Sequence, residues 1–115
     1  MRQFHHVGLP TTEKHDGEEY VAATKVSVTD PRSHPQRIEF LRFEPDTPVE
    51  GPLHDLPHVA YRVDNLAEAM QGLKVLLGPF NPTPRLEVAF CEENGAIIEL
   101  MQYESDDDLP WGYKP

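Results

Sequence analysis

His6, Glu39, His58 and Glu99 are the residues of this 115-residue chain whose types and placement could do chemistry together. Phe4-His5-His6-Val7-Gly8-Leu9 is echoed fifty-two residues later by Leu56-Pro57-His58-Val59-Ala60-Tyr61. Both segments place His-Val-small at the opening of an apolar run. Arg37-Ile38-Glu39-Phe40-Leu41-Arg42-Phe43-Glu44 is echoed sixty residues later by Ile97-Ile98-Glu99-Leu100-Met101-Gln102-Tyr103-Glu104. The order His then Glu therefore occurs twice. One strand histidine alone would be structural more often than not. A carboxylate between Ile and Leu is odder, because carboxylates are rarely buried unpaired. Two imidazoles and two carboxylates converging from four strands would bind one divalent ion. The glutamates cancel its charge, and mixed N and O donors suit Zn²⁺, Ni²⁺, Co²⁺, Fe²⁺ or Mn²⁺ better than Ca²⁺.

The repeat divides the chain into two modules, residues 1–46 and 56–104, joined by a Pro-rich stretch. In the second module, residues 58–63 read as a strand. Asp64 or Asn65 can cap a helix, with Glu68 at capping-box spacing from Asn65. Leu66, Ala69, Met70, Leu73 and Leu77 recur at helical intervals, so a helix is expected until Gly78-Pro79 stops it. Residues 85–91 and 96–103 read as strands around an Asn94-Gly95 hairpin turn. The first module has strands at 3–9 and 37–44 and one more within 20–29. Residues 11–19 are polar and lack an apolar stripe. His6 to Glu39 spans 33 residues and His58 to Glu99 spans 41. The eight missing residues are about two helical turns, so the first helix is expected to be very short or absent.

Alternation along the strands sorts the side chains between two faces. Glu99 shares a face with Met101 and Tyr103, and Glu39 shares one with Leu41 and Phe43. His6 lies with Phe4 and Gly8, and His58 with Ala60 and Arg62. Parity turns His5 to the other face, so replacing it is expected to cost little.

Ten Lys and Arg against twenty Asp and Glu give a net charge of −10. So acidic a surface disfavours nucleic acid and anionic membrane partners. No apolar run approaches the roughly 20 residues that span a bilayer. The opening MRQFHHVGLP lacks the apolar stretch of a secretory signal. The single Cys91 excludes an intrachain disulfide and a multi-Cys zinc site. A one-domain protein of the reducing cytoplasm is expected. Residues 105–115 read as an acidic, then aromatic tail, frayed or folded back through Trp111 and Tyr113 over a groove or a partner. Uncovered strand edges suggest a homodimer.

HHVGLP, RIEFLRFE, PHVAYRVDNLAEAM and VAFCEENGAIIELMQY together resemble the vicinal oxygen chelate superfamily. That superfamily includes glyoxalase I, methylmalonyl-CoA epimerase, extradiol dioxygenases and the fosfomycin and bleomycin resistance proteins. The resemblance implies an α+β fold in which paired βαβββ modules curl into a half-open, U-shaped mixed β-barrel. Carried over by motif, it implies His6, Glu39, His58 and Glu99 as ligands of a divalent metal. The full His-Glu-His-Glu set resembles glyoxalase I most, since extradiol dioxygenases and fosfomycin-resistance enzymes use three ligands.

Two functions follow as expectations. The first is a metal-dependent isomerase, epimerase or lyase acting on a small oxygenated substrate. That substrate would chelate the metal through two neighbouring oxygens. The ion would act as a Lewis acid while a base removes the adjacent proton. Glu99 and Glu39 are the candidate bases. Arg62, on the face of His58, either holds an anionic group of the substrate or pairs with a surface acid. The second is a metal-independent module that binds a small molecule such as an antibiotic. Two retained buried carboxylates argue against it. The chain has no Gly-rich phosphate loop and no Ser nucleophile elbow.

Overall fold

The computed structural model describes residues 2–103, so the tail at 105–115 lies outside the described residues. Eight strands form one mixed sheet: β1 (Gln3–Pro10), β2 (Glu19–Val21), β3 (Val26–Val28), β4 (Ile38–Phe43), β5 (His58–Arg62), β6 (Lys74–Thr83), β7 (Leu86–Glu93) and β8 (Ala96–Gln102). Two four-residue helices accompany them, α1 (Pro52–Asp55) and α2 (Leu66–Ala69). The strand order is β2-β3-β4-β1-β5-β8-β7-β6, and the sheet curls into a half-barrel. At its centre β1 and β5 run antiparallel, while β1–β4 and β5–β8 are parallel. The two modules thus pair with each other inside one chain, across the β1–β5 seam. No described helix is long and apolar enough to cross a membrane.

The alternation of the strands separates two apolar clusters. Val26, Leu41, Val88, Met101 and Tyr103 belong to one, on the face that carries the glutamates. Ile98, Leu100, Ala89 and Cys91 belong to the other, which packs under Leu66 of α2. Leu66 is almost fully buried, a change worth about 1.5–3 kcal/mol for a side chain of this size.

The expected helix of the second module is cut to one turn. It begins as its sequence directs, with the Asn65 side chain accepting a bond from the Glu68 backbone N–H at 3.0 Å. It ends early because Gly72 adopts φ +80°, the left-handed conformation that closes helices. The following residues form β6 instead. Pairing with β7, as in Lys74↔Glu92 and Leu77↔Phe90, satisfies their backbone groups. Leu77 and Phe80 pack against the first apolar cluster. Leu73 and Leu77 therefore keep the helical spacing without the helix. In the first module no described helix lies between β1 and β2, as its polar sequence implies. The single strand expected within 20–29 is a hairpin, β2 and β3, closed by a turn that ends at Lys25 with φ +50°. Asn94 and Gly95, at φ +51° and +85°, form the two-residue turn between β7 and β8.

Candidate metal centre

His6 stands on β1, Glu39 on β4, His58 on β5 and Glu99 on β8, the four central strands of the sheet. Their registers place them in two parallel rows. Gly8 pairs with both Glu39 and His58, so the first row reads Glu39–Gly8–His58 across three strands. Ala60 pairs with both His6 and Glu99, so the second reads His6–Ala60–Glu99. Each row holds a His and a Glu with a small residue between them. The small residue two places after each His is thus part of the site, and its signal was already in the repeated His-Val-small motif. Gly8 is the stricter of the two. A Cβ there would lie 2.5 Å from Nε2 of His58 and 2.7 Å from Nδ1, far inside van der Waals contact. Gly8→Ala is expected to push the His58 ring from its place, costing about 1–3 kcal/mol of stability and much of the metal affinity. Thermal melts and metal titration of the variant check this.

All four side chains are buried, and one donor atom from each lies within 4.8 Å of the others. His6 Nε2 is 3.4 Å from Glu39 Oε1 and 3.4 Å from Glu99 Oε1. His58 Nε2 is 3.2 Å from Glu99 Oε1. Bonds of about 2.1 Å to a shared ion put neighbouring donors about 3.0 Å apart in an octahedron and about 3.4 Å in a tetrahedron. The three separations are therefore edge lengths of a coordination polyhedron. Donor type, burial and spacing all fit a divalent ion held by His6, Glu39, His58 and Glu99.

His5 departs from parity. A register shift between Phe4 and His6 in the pairing with β5 lets consecutive residues both turn inward, and His5 is buried. Its Nδ1 lies 2.7 Å from Nδ1 of His6. Burial, then the neighbouring His6 and Arg37, push the His5 pKa down to about 3, so its neutral ring accepts from the Nδ1–H of His6. That bond leaves Nε2 of His6 aimed at the glutamates with its lone pair available to a metal, the usual service of an outer hydrogen-bond partner. His5→Ala, expected from alternation to cost little, is now expected to lower metal affinity about 10–100-fold. His5→Asn, with an amide oxygen to accept the same proton, should recover part of it, as calorimetric titration with Zn²⁺ would measure.

Without a metal, the cluster reorganises around a proton. Burial alone would lower the His6 pKa. The charge of Glu39 and hydrogen bonds to Glu39 and Glu99 overcome it and raise the value to about 10. Burial opposes ionisation of Glu99, but bonds from His58 and His6 hold its carboxyl well below the ordinary range.

No family model and no curated protein matches the sequence. Among solved structures, a hypothetical protein from Bacillus halodurans C-125 superposes with a TM-score of 0.70 at 17% identity. The match covers 91% of this chain and 96% of that one. The two proteins share a fold.

Glu39 and Glu99 also line a cavity enclosed by the curl of the sheet, together with Leu41, Val88, Phe90 and Met101. A metal at the cluster would therefore face this cavity through Glu39 and Glu99. Arg62 is not among the lining residues. Its guanidinium stacks 4.5 Å over the Tyr103 ring and donates to the Tyr103 carbonyl at 3.2 Å. Cys91 is buried in the opposite cluster, and burial pushes its thiol pKa up, which makes it a packing residue.

Proposed function

We propose that this protein is a divalent-metal-dependent isomerase, epimerase or lyase with the ligand arrangement of glyoxalase I within the vicinal oxygen chelate superfamily. The observation that carries the reading is the buried His6–Glu39–His58–Glu99 cluster with donor separations of 3.2–3.4 Å on a cavity wall. A structural site would be closed on all sides, whereas this one opens its carboxylates to a cavity. The metal would supply Lewis acidity toward a substrate with two adjacent oxygens.

The chain's own residues divide the remaining work. His6 and His58 hold the ion as neutral imidazoles, the first oriented by His5. Glu99 lies against both imidazoles, which suits it to anchoring. Glu39 then serves as the base that takes the proton next to the substrate carbonyl. The apolar lining beside Glu39 excludes water from that proton transfer. A panel of small α-hydroxycarbonyl compounds in D₂O, followed by proton NMR, tests the reading. Exchange of the α-hydrogen with metal-loaded protein is the expected result. Tight binding of such a compound to metal-free protein, with no exchange in either form, would replace it with the binding-module reading.

A further inference from the structure

We infer that the substrate of this site has an uncharged, apolar body attached to its two metal-facing oxygens, and that substrates bearing an anionic carrier group are excluded. This rests on the metal-dependent reading above and narrows it.

The lining of the cavity supplies the argument. Apart from Thr24, Glu39 and Glu99, every described residue that lines it is apolar. Val21, Val26, Leu53 and Leu86 are buried within that lining. No Lys, Arg or His is among them. Of the Lys and Arg residues that flank lining residues, Lys25 pairs with Asp46 at 2.6 Å, Arg42 pairs with Glu18 at 2.7 Å, and Arg85, beside Leu86, lines a different cavity with Asp64 and Gln102; Arg37 donates to the His5 carbonyl. Arg62 lies against Tyr103. A substrate carboxylate or phosphate entering the cavity would lose its hydration and meet no cationic side chain among the described lining residues, the ion's charge being already cancelled by Glu39 and Glu99, which is strongly unfavourable. An apolar group meets the reverse situation and gains by leaving water. The space open to the centre of a water-sized molecule is about 60 Å³, against roughly 10–15 Å³ for one water, so that body is small. The net charge of −10 opposes anions at longer range as well.

Two hydroxamates of matched chain length separate the possibilities. Hexanohydroxamic acid offers two adjacent oxygens on an alkyl body, and the monohydroxamic acid of adipic acid adds only a terminal carboxylate. Cobalt-loaded protein is titrated with each, and the visible absorption of Co²⁺ reports occupancy. The alkyl compound is expected to bind at least about 30-fold more tightly, because an unpartnered buried charge is costly. Leu53→Arg, which places a cation in the lining, should shrink that ratio. If that variant does not take up cobalt, the ratio on the unaltered protein decides alone. Equal affinities, a preference for the carboxylate, or cobalt that binds while the alkyl compound leaves its spectrum unchanged would overturn the inference and leave the metal site standing. Failure of cobalt itself to bind would overturn the metal-dependent reading, and this inference with it.

Discussion

Glu99→Gln is expected to lower divalent-metal affinity by more than the roughly 100-fold upper range of outer-shell losses, and to abolish α-proton exchange. The amide keeps the shape of the side chain but removes a negative charge from a buried site that must neutralise a dication. Glu99 Oε1 is the donor that His6 and His58 both approach, at 3.4 and 3.2 Å, so its loss disturbs two other ligands as well. Glu39→Gln gives the contrast. If Glu39 is the base, its amide should eliminate exchange while leaving a weaker but measurable metal site. Metal titration and NMR exchange on the two variants together distinguish the roles. Equal loss of metal in both, or exchange that survives in Glu39→Gln, would remove the assignment of Glu39 as the base.

The metal-free protein is expected to be most stable near pH 6.5, with stability falling on both sides. On the alkaline side, folded His6 keeps its proton up to about 10, whereas an unfolded histidine loses it near 6.5. The folded state binds more protons in that window, so its advantage disappears as pH rises through it. On the acid side the sign reverses. Unfolded His5 takes up a proton below about 6.5, while the folded residue resists until about 3. Glu99 adds to this below its ordinary carboxylate range, because its folded pKa is depressed. Each unit of difference corresponds to about 1.4 kcal/mol, so both arms should exceed the effect of an ordinary surface substitution. Bound metal requires a neutral His6 and gains affinity as pH rises. Saturating Zn²⁺ should therefore erase the alkaline arm, which melting curves between pH 4 and 10, with chelator or with metal, would reveal.

The cluster was legible because two independent regularities met on it. Each ligand lies on the face opposite its strand's aliphatic neighbours, and each has a counterpart in the other module. Strand alternation fails at His5 because one shift in register between Phe4 and His6 changes the parity of everything before it, and nothing in the local composition marks the shift. Leu66 to Leu77 misleads for another reason. The spacing of apolar residues that makes a helical stripe also serves a turn followed by a strand, and Gly72 was the residue that could have decided between them. The β2–β3 turn has no Gly, Pro or Asn in Ala22-Ala23-Thr24-Lys25, so the hairpin was invisible to turn chemistry. The role of Arg62 could not be read from its face, since a side chain that long chooses among neighbours such as Tyr103 which only the folded sheet brings near it.

The two rows of the centre straddle the β1–β5 seam, so each module contributes one imidazole and one carboxylate. A bound ion would then be a fastener between two halves of the polypeptide, added to the β1–β5 pairing and to the apolar cluster that Val26 and Leu41 share with Val88 and Met101. Its removal would leave the outer hairpins β2–β3 and β6–β7 with their own ladders but would weaken the joint between the halves. Metal loading would thus be expected to reach beyond the cavity and to strengthen the cooperativity with which the two halves unfold.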